Sequence, residues 1–321
     1  MNQLTRRNMM TSSAAALAGL PLARTLSGTP ANAEPARRFT LDLNWGAIGV
    51  RANQLEAIEY AATYGFESVY ADPGFLLSLN DASRSELAGL MKEKRIVWGA
   101  AGLPVEFRQD ESRFQQDLKK LPATAQAMQL AGITRVGTWL MPCHDDLTYV
   151  ANFRQHARRL RDCVRILGDH GQRFGMEYVG PKTLWASKRH SFVHSMQETK
   201  DLIAEIGEDD VGIVLDSWHW YTAHETVDDL RSLTNRDIIA CDLNDAPAGL
   251  PIDGQIDNQR ELPAATGVID LKTFLGVLVE IGYDGPVRAE PFNAKLNAME
   301  NDAACQAAAK AMTKAFSLVG K

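Results

Sequence analysis

The sequence predicts an α/β protein folded as one (β/α)8 barrel, a TIM barrel, on three observations. From residue 39 onward, short β-branched or apolar runs alternate with longer amphipathic stretches, the pattern of repeated βα units around a parallel sheet. There are eight such runs, and about 285 residues is the length one eight-unit barrel needs. No GxGxxG follows the first run, which removes the usual dinucleotide argument for the runner-up, a doubly wound sheet.

Strands are expected at "FTLDL" (39–43), "SVYAD" (68–72), "IVWGAAG" (96–102), "ITRVGTW" (133–139), "FGMEYVG" (174–180), "GIVLDS" (212–217), "DIIACDL" (237–243) and "VRAEPF" (287–292). The stretches between them have helical spacing. "QLEAIEYAATYG" puts Leu55, Ile58 and Ala62 on one face and stops at Gly65; "LPATAQAMQLAG" stops at Gly132, and "FRQHARRLRDCVRILGDHG" at Gly171.

Ahead of the barrel, "TRRNMM" (5–10) carries a twin-arginine pair, followed by the weakly apolar "SSAAALAGLPLA" and the small-x-small pattern Ala31-Asn32-Ala33. Residues 1–33 read as a Tat-type signal peptide and 34–321 as the barrel domain, so the protein is expected in the periplasm or otherwise exported via Tat. The alternative is a basic N-terminal arm. Removing Arg6, Arg7 and Arg24 takes the formal charge from −6 to −9, which argues against nucleic-acid partners. No apolar window reaches 18 residues, so stable membrane insertion is not expected. Cys143, Cys163, Cys241 and Cys305 lack CxxC spacing and suggest neither a zinc ribbon nor a disulfide framework.

Active sites of closed parallel barrels form at the C-terminal ends of the strands, so charge at those ends is informative. The fifth strand carries Glu177, the sixth Asp216 with His219 in "VLDSWHW", the seventh Asp242 and Asp245 in "CDLNDAP", and the eighth Glu290 in "VRAEPF". Converging carboxylates repel one another at low dielectric unless a positive partner stands among them, and one divalent cation is the simplest such partner. Oxygen-rich ligands favour Mn2+ or Mg2+; a nearby imidazole keeps Co2+, Zn2+ or Fe2+ within reach. Taken singly, Glu177 or Glu290 reads more readily as half of an internal ion pair, with Arg173 or Arg288 as near candidates; the set at matching strand ends is what points to a metal.

The stretches "LDSWHWY", "LNDAP", "DNQRELP", "GVIDLKTFL" and "GYDGPVRAEPF" resemble the xylose isomerase-like TIM-barrel superfamily. That group holds sugar isomerases, 3-epimerases, and inosose and dehydroshikimate dehydratases, with endonuclease IV as a distant relative. The resemblance covers about residues 39–292 and is strongest in the C-terminal third. It implies four metal ligands, Glu177, Asp216, Asp242 and Glu290, with Asp242 departing from the histidine or glutamine usual at that position. Asp245 is then a helper that orients the loop or a group touching the metal. The resemblance also implies that His219 contacts substrate oxygen or a second metal and that Arg260 binds substrate hydroxyls or phosphate. Lys182, Arg189, His190 and His194 lie in the loop where relatives bind substrate, and His144 is placed similarly. Trp45, Trp139 and Trp185 fall near strand ends, where an apolar face suits a sugar ring.

The chemistry this set implies is proton transfer next to a carbonyl through an enediolate, with Glu177 and Glu290 exchanging the proton. The readings are a divalent-metal sugar isomerase or epimerase; a dehydratase or keto-glycoside lyase on the same site; and a non-catalytic sugar-binding barrel. The implied partner is a small sugar, and a homo-oligomer is compatible with all three. The extra histidines of a multi-zinc nuclease are missing.

Overall fold

Eight parallel strands close into a barrel in chain order in the computed structural model, which describes residues 36–320. The expected signal peptide lies outside the described residues. The strands are β1 (Thr40–Leu43), β2 (Ser68–Ala71), β3 (Val97–Gly102), β4 (Arg135–Trp139), β5 (Arg173–Glu177), β6 (Val211–Asp216), β7 (Ile238–Leu243) and β8 (Pro286–Ala289). Every expected strand is present. β5 and β8 end three residues sooner than read, so Glu290 stands just past its strand.

Helices flank the strands, and their ends follow local chemistry. Gln54–Tyr64 begins at a reciprocal cap between Asn53 and Glu56 and ends at Gly65, whose φ of 78° suits a residue without Cβ. Its buried stripe is Gln54, Ala57, Ile58 and Ala61; Leu55, expected inside, is 45% exposed. Gln54 takes the first-turn place because its amide donates to Tyr70 O and accepts from Asp72 N, tying the helix to the end of β2. The helix Tyr149–Asp169 buries Leu160, Cys163, Val164 and Leu167. A short antiparallel ribbon, Cys143–His144 with His190–Ser191, joins the loops after β4 and β5 and was not foreseen.

Inside the barrel, glycines make room for larger groups from other strands. A Cβ on Gly175 would come within 2.7 Å of Ile239, and one on Gly99 within 2.2 Å of Asp42 Oδ1. Substituting either would force a shift in a close-packed interior. All four cysteines are free and buried. Among the described residues, no helix is long and apolar enough to cross a membrane.

Candidate active site

Strand register lines up a row of charge across one side of the barrel. Asp42 on β1 pairs in register with Arg288 on β8, Arg288 with Asp242 on β7, and Asp242 with Asp216 on β6. Arg288 donates from Nε to Asp242 Oδ1 at 2.6 Å and from Nη2 to Oδ2 at 2.9 Å. The cation beside "CDLNDAP" is therefore an arginine, the geometry a buried carboxylate needs. Both Asp242 oxygens accept from Arg288, so an ion at this position would share the acid with the arginine. Asp42, which sequence reasoning missed, is buried, and neither oxygen has a hydrogen-bond partner among the described residues. Burial lifts its pKa to about 6, with Arg288 opposing the rise. An acid inside the apolar "FTLDL" was the signal available.

Asp216 is the N-cap of the short helix Ser217–Thr222 and accepts from Trp218 N at 2.8 Å. Its oxygens also accept from Asn244 Nδ2 at 3.0 and 3.1 Å, and Oδ2 from Arg260 Nη1 at 2.7 Å. Asn244, also missed, accepts from Glu290 N and so links the ends of β6, β7 and β8. Arg260 reaches Glu290 Oε2 at 3.4 Å, is held by Asp257 Oδ1 at 3.0 Å, and packs against Phe292 at 4.6 Å from the ring centre. Phe292 has φ 41°, an unusual backbone state for a bulky residue that puts its ring over Arg260.

His219 Nδ1 accepts from Gly180 N at 3.1 Å, and Nε2 lies 3.3 Å from Arg260 Nη2, 3.8 Å from Asp216 and 3.9 Å from Glu177. The amide and the guanidinium are both donors, and a neutral imidazole accepts from only one of them. Burial, reinforced by Arg260, holds the imidazole well below its usual pKa, so the ring is neutral.

Glu177 and Glu290 keep spare capacity. Glu177 Oε1 is buried without a partner among the described residues, and Glu290 accepts only the long contact from Arg260. Glu177, Asp242 and Glu290 each offer an oxygen within 4.8 Å of the others, as do ligand atoms of Glu177, Asp216 and His219. Burial, then Glu290, Asp242 and Asp216, push Glu177 well above the carboxylate range; burial and Asp242 raise Glu290 to about 8, and burial raises Asp216 to about 7. With Asp42 and Asp242 there are five carboxyls against Arg260 and Arg288, three negative charges in excess when all ionise. Hard oxygen donors, an orphaned buried oxygen and an uncompensated negative site fit a divalent cation. Glu177 and Glu290 are the donors with free oxygens, and Asp242 completes the set through lone pairs that Arg288 leaves.

The other expected residues bond elsewhere. Asp245 accepts from the backbone N–H of Ala246, Thr266, Gly267 and Ile269, and so shapes the loop after β7. Lys182 pairs with Asp253 at 2.7 Å, and Trp185 stacks on His194, whose Nδ1 lies 2.7 Å from Phe192 O. These three have their partners within the loops. His144 Nδ1 accepts from Asp146 N and Leu147 N in a turn. Trp45 packs edge-on against Tyr70. Trp139, by contrast, stands in register beside Glu177.

The fold and the acids at the ends of β5 to β8 define the class: a parallel (β/α)8 barrel with a buried carboxylate cluster at its C-terminal mouth. Within that class, the chain belongs to the xylose isomerase-like TIM barrel family, whose model matches residues 58–315. It is 23% identical to an inosose isomerase of Bacillus velezensis over 215 residues, 67% of this chain and 74% of that protein. Three further inosose isomerases match over about half their own length. A xylose isomerase domain protein from Alicyclobacillus acidocaldarius superposes with TM-score 0.76 at 28% identity, covering 89% of this chain and 100% of the other. A structure of the IOLI protein with a bound zinc atom superposes with TM-score 0.71 at 20% identity, covering 87% and 98%.

Proposed function

We propose that this protein is a divalent-metal-dependent sugar isomerase or epimerase that moves a proton on the carbon next to a carbonyl. One observation carries the reading: Glu177 and Glu290, on β5 and just past β8, offer oxygens within 4.8 Å of each other in a buried site, and Glu177 Oε1 has no hydrogen-bond partner among the described residues. A pair of carboxylates that can each keep one oxygen free is suited to take up and return a proton. The inosose isomerase relative supports the substrate class, and the zinc-holding IOLI protein supports an ion in this fold. Held by Glu177, Glu290 and Asp242, an ion would polarise the carbonyl and acidify the adjacent C–H; Mn2+ or Mg2+ is favoured, with Co2+, Zn2+ or Fe2+ within reach.

The chain's own groups account for the rest. Glu177, with Oε1 uncommitted, takes the proton; Glu290 returns one from the other side, at the opposite face for epimerisation or at the neighbouring carbon for isomerisation. His219, neutral and 3.9 Å from Glu177, would meet a substrate oxygen, donating in the tautomer protonated on Nε2, and Arg260 steadies the charge shared by Asp216 and Glu290. If a β-leaving group is present, the same proton removal ends in elimination, the lyase reading. The Asp242–Arg288 pair favours a second reading, a sugar-binding barrel without turnover, because an ion would have to share Asp242 with the arginine.

The test is the Mn2+-loaded protein incubated with aldo- and ketosugars in D2O and followed by NMR. Deuterium entering next to the carbonyl supports the proposal, and loss of a hydroxyl or aglycone supports the lyase. Binding without exchange on any sugar overturns both in favour of the binding barrel. The twin-arginine segment adds the proposal that the protein works outside the cytoplasm, which cell fractionation of the full chain and an Arg6→Lys/Arg7→Lys variant would check.

A further inference from the structure

Arg288 stands between two acids and is bonded to one of them. On β8 it is in register with Asp42 on β1 and with Asp242 on β7, so the three side chains leave their strands on the same face of the sheet. All three are buried. The planar guanidinium spends one edge, Nε and Nη2, on Asp242, which leaves Nη1 on the opposite edge outside that pair. Asp42 is 1% exposed, neither of its oxygens has a hydrogen-bond partner among the described residues, and Arg288 is the cation that opposes the rise of its pKa. The Ser68 hydroxyl, which also acts on that pKa, is bonded with Thr40 Oγ1 at 2.7 Å. A buried acid whose neighbouring arginine is given wholly to another acid is costly as it stands, and a second arrangement of the three groups would relieve it.

The interior leaves Asp42 room for two positions. Gly99 on β3 has no Cβ, and one placed there would fall 2.2 Å from Asp42 Oδ1, so the carboxyl leans over the glycine. Rotation about its own side-chain torsions carries it toward Arg288 or away, with no strand displaced. A divalent cation changes which acid the arginine suits. Asp242 offers an oxygen within 4.8 Å of those of Glu177 and Glu290, and both Asp242 oxygens accept from Arg288. With an ion at that point, guanidinium and ion compete for the same lone pairs and repel each other at low dielectric, whereas Asp42 is an acid with no bonded partner.

We propose that Asp42 is a positioning residue for the candidate metal centre: when the ion takes Asp242, the Arg288 guanidinium passes to Asp42, which releases the Asp242 oxygens and keeps the arginine paired. Asp42 touches neither ion nor substrate and acts through Arg288. The inference rests on the metal reading of the cluster and deepens it by naming the residue that frees the third ligand.

The experiment is isothermal titration of the full chain with Mn2+ at pH 8, in the wild type, Asp42→Asn, Arg288→Met and the double variant. Asp42→Asn, which offers the arginine no charge, is expected to bind Mn2+ about tenfold or more weakly than the wild type. Once Arg288 is gone there is nothing to relocate, so adding Asp42→Asn to Arg288→Met leaves the affinity unchanged. A merely structural role for Asp42 would weaken binding in both backgrounds. Wild-type affinity in Asp42→Asn, or an equal loss with and without Arg288, overturns the inference. Should a variant fail to fold, a crystal structure of the Mn2+-bound wild type decides: Arg288 bonded to Asp42 supports the relocation, and Arg288 still on both Asp242 oxygens refutes it. If the wild type binds no Mn2+, the metal reading falls and takes this inference with it; Mn2+ binding that is indifferent to Asp42 sinks the inference alone.

Discussion

Replacing Arg288 by Met tests the charge row most directly. The substitution keeps most of the side chain's length and removes two short charge-assisted hydrogen bonds to Asp242, at 2.6 and 2.9 Å. It also removes the positive group that restrains the pKa of Asp42. Breaking a buried ion pair from one side costs about 3–5 kcal/mol, against a total stability of about 5–15 kcal/mol for a folded domain. The cost should depend on pH in a definite direction. A buried carboxyl with a raised folded-state pKa binds more protons folded than unfolded, so its stability is retained at low pH and lost as pH rises toward the folded value. For Asp42, already at about 6 with Arg288 present, the window opens near 4 and extends further upward in the variant. Urea denaturation followed by tryptophan fluorescence, in EDTA at pH 5 and pH 8, reads this out. Arg288→Met should lose about 3–5 kcal/mol at pH 8 and clearly less at pH 5, with an unchanged m-value. The double variant Asp242→Leu/Arg288→Met should recover most of the loss. A single-variant loss below about 1 kcal/mol at pH 8, or a double variant no more stable than the single, refutes a mutually compensating pair.

Three other outcomes follow from the same geometry. Glu177→Gln and Glu290→Gln should each lower deuterium exchange into substrate by roughly 10²–10⁴-fold, as expected for loss of a general acid or base, measured by NMR on folded protein. The metal-free wild type should melt at progressively lower temperature between pH 5 and pH 8.5, because Asp42, Asp216 and Glu290 have folded pKa values raised to about 6, 7 and 8; saturating Mn2+ should restore most of the loss at pH 8, and a flat calorimetric profile contradicts the assignment. Gly99→Ala should destabilise by about 1–3 kcal/mol, since its Cβ would fall 2.2 Å from Asp42 Oδ1, whereas Gly89→Ala, in a helix with nothing within 4 Å, should be neutral or stabilising by up to about 1 kcal/mol in chemical denaturation.

The barrel was readable because alternation of strand and helix is a local property, and apolar runs bounded by turn residues marked all eight strands. Helix ends at Gly65 and Gly132 were readable for the same reason. The acids at the ends of β5 to β8 were visible as residues, but their partners were not. Arg288 lies 46 positions from Asp242, and only the register of β7 with β8 brings them together. Asp42 escaped notice because an acid near the start of the barrel acquires meaning only when β1 closes against β8. Lys182, Trp185 and His194 were placed by their loop, and a loop's own ion pairs and stacking decide where such side chains point. His156 and Asn152 lie on the buried side of an amphipathic helix, where periodicity alone leads one to expect apolar residues.

The loop after β7 invites a view from protein evolution and engineering. Asp245 gathers four backbone N–H groups, three of them from residues 266–269, and its own backbone exchanges hydrogen bonds with Glu261 at 2.9 and 2.8 Å. One carboxylate therefore clasps the base of an excursion more than twenty residues long, while Arg260 is fixed separately by Asp257, Phe292 and Asp216. Lengthening such an excursion at its outer part adds little closure entropy, about 0.6 kcal/mol per doubling. The exposed stretch 248–250 is thus the part of the excursion open to insertions or grafts, which would leave the clasp, the arginine and the pairs of Asp253 with Lys182 and His224 in place.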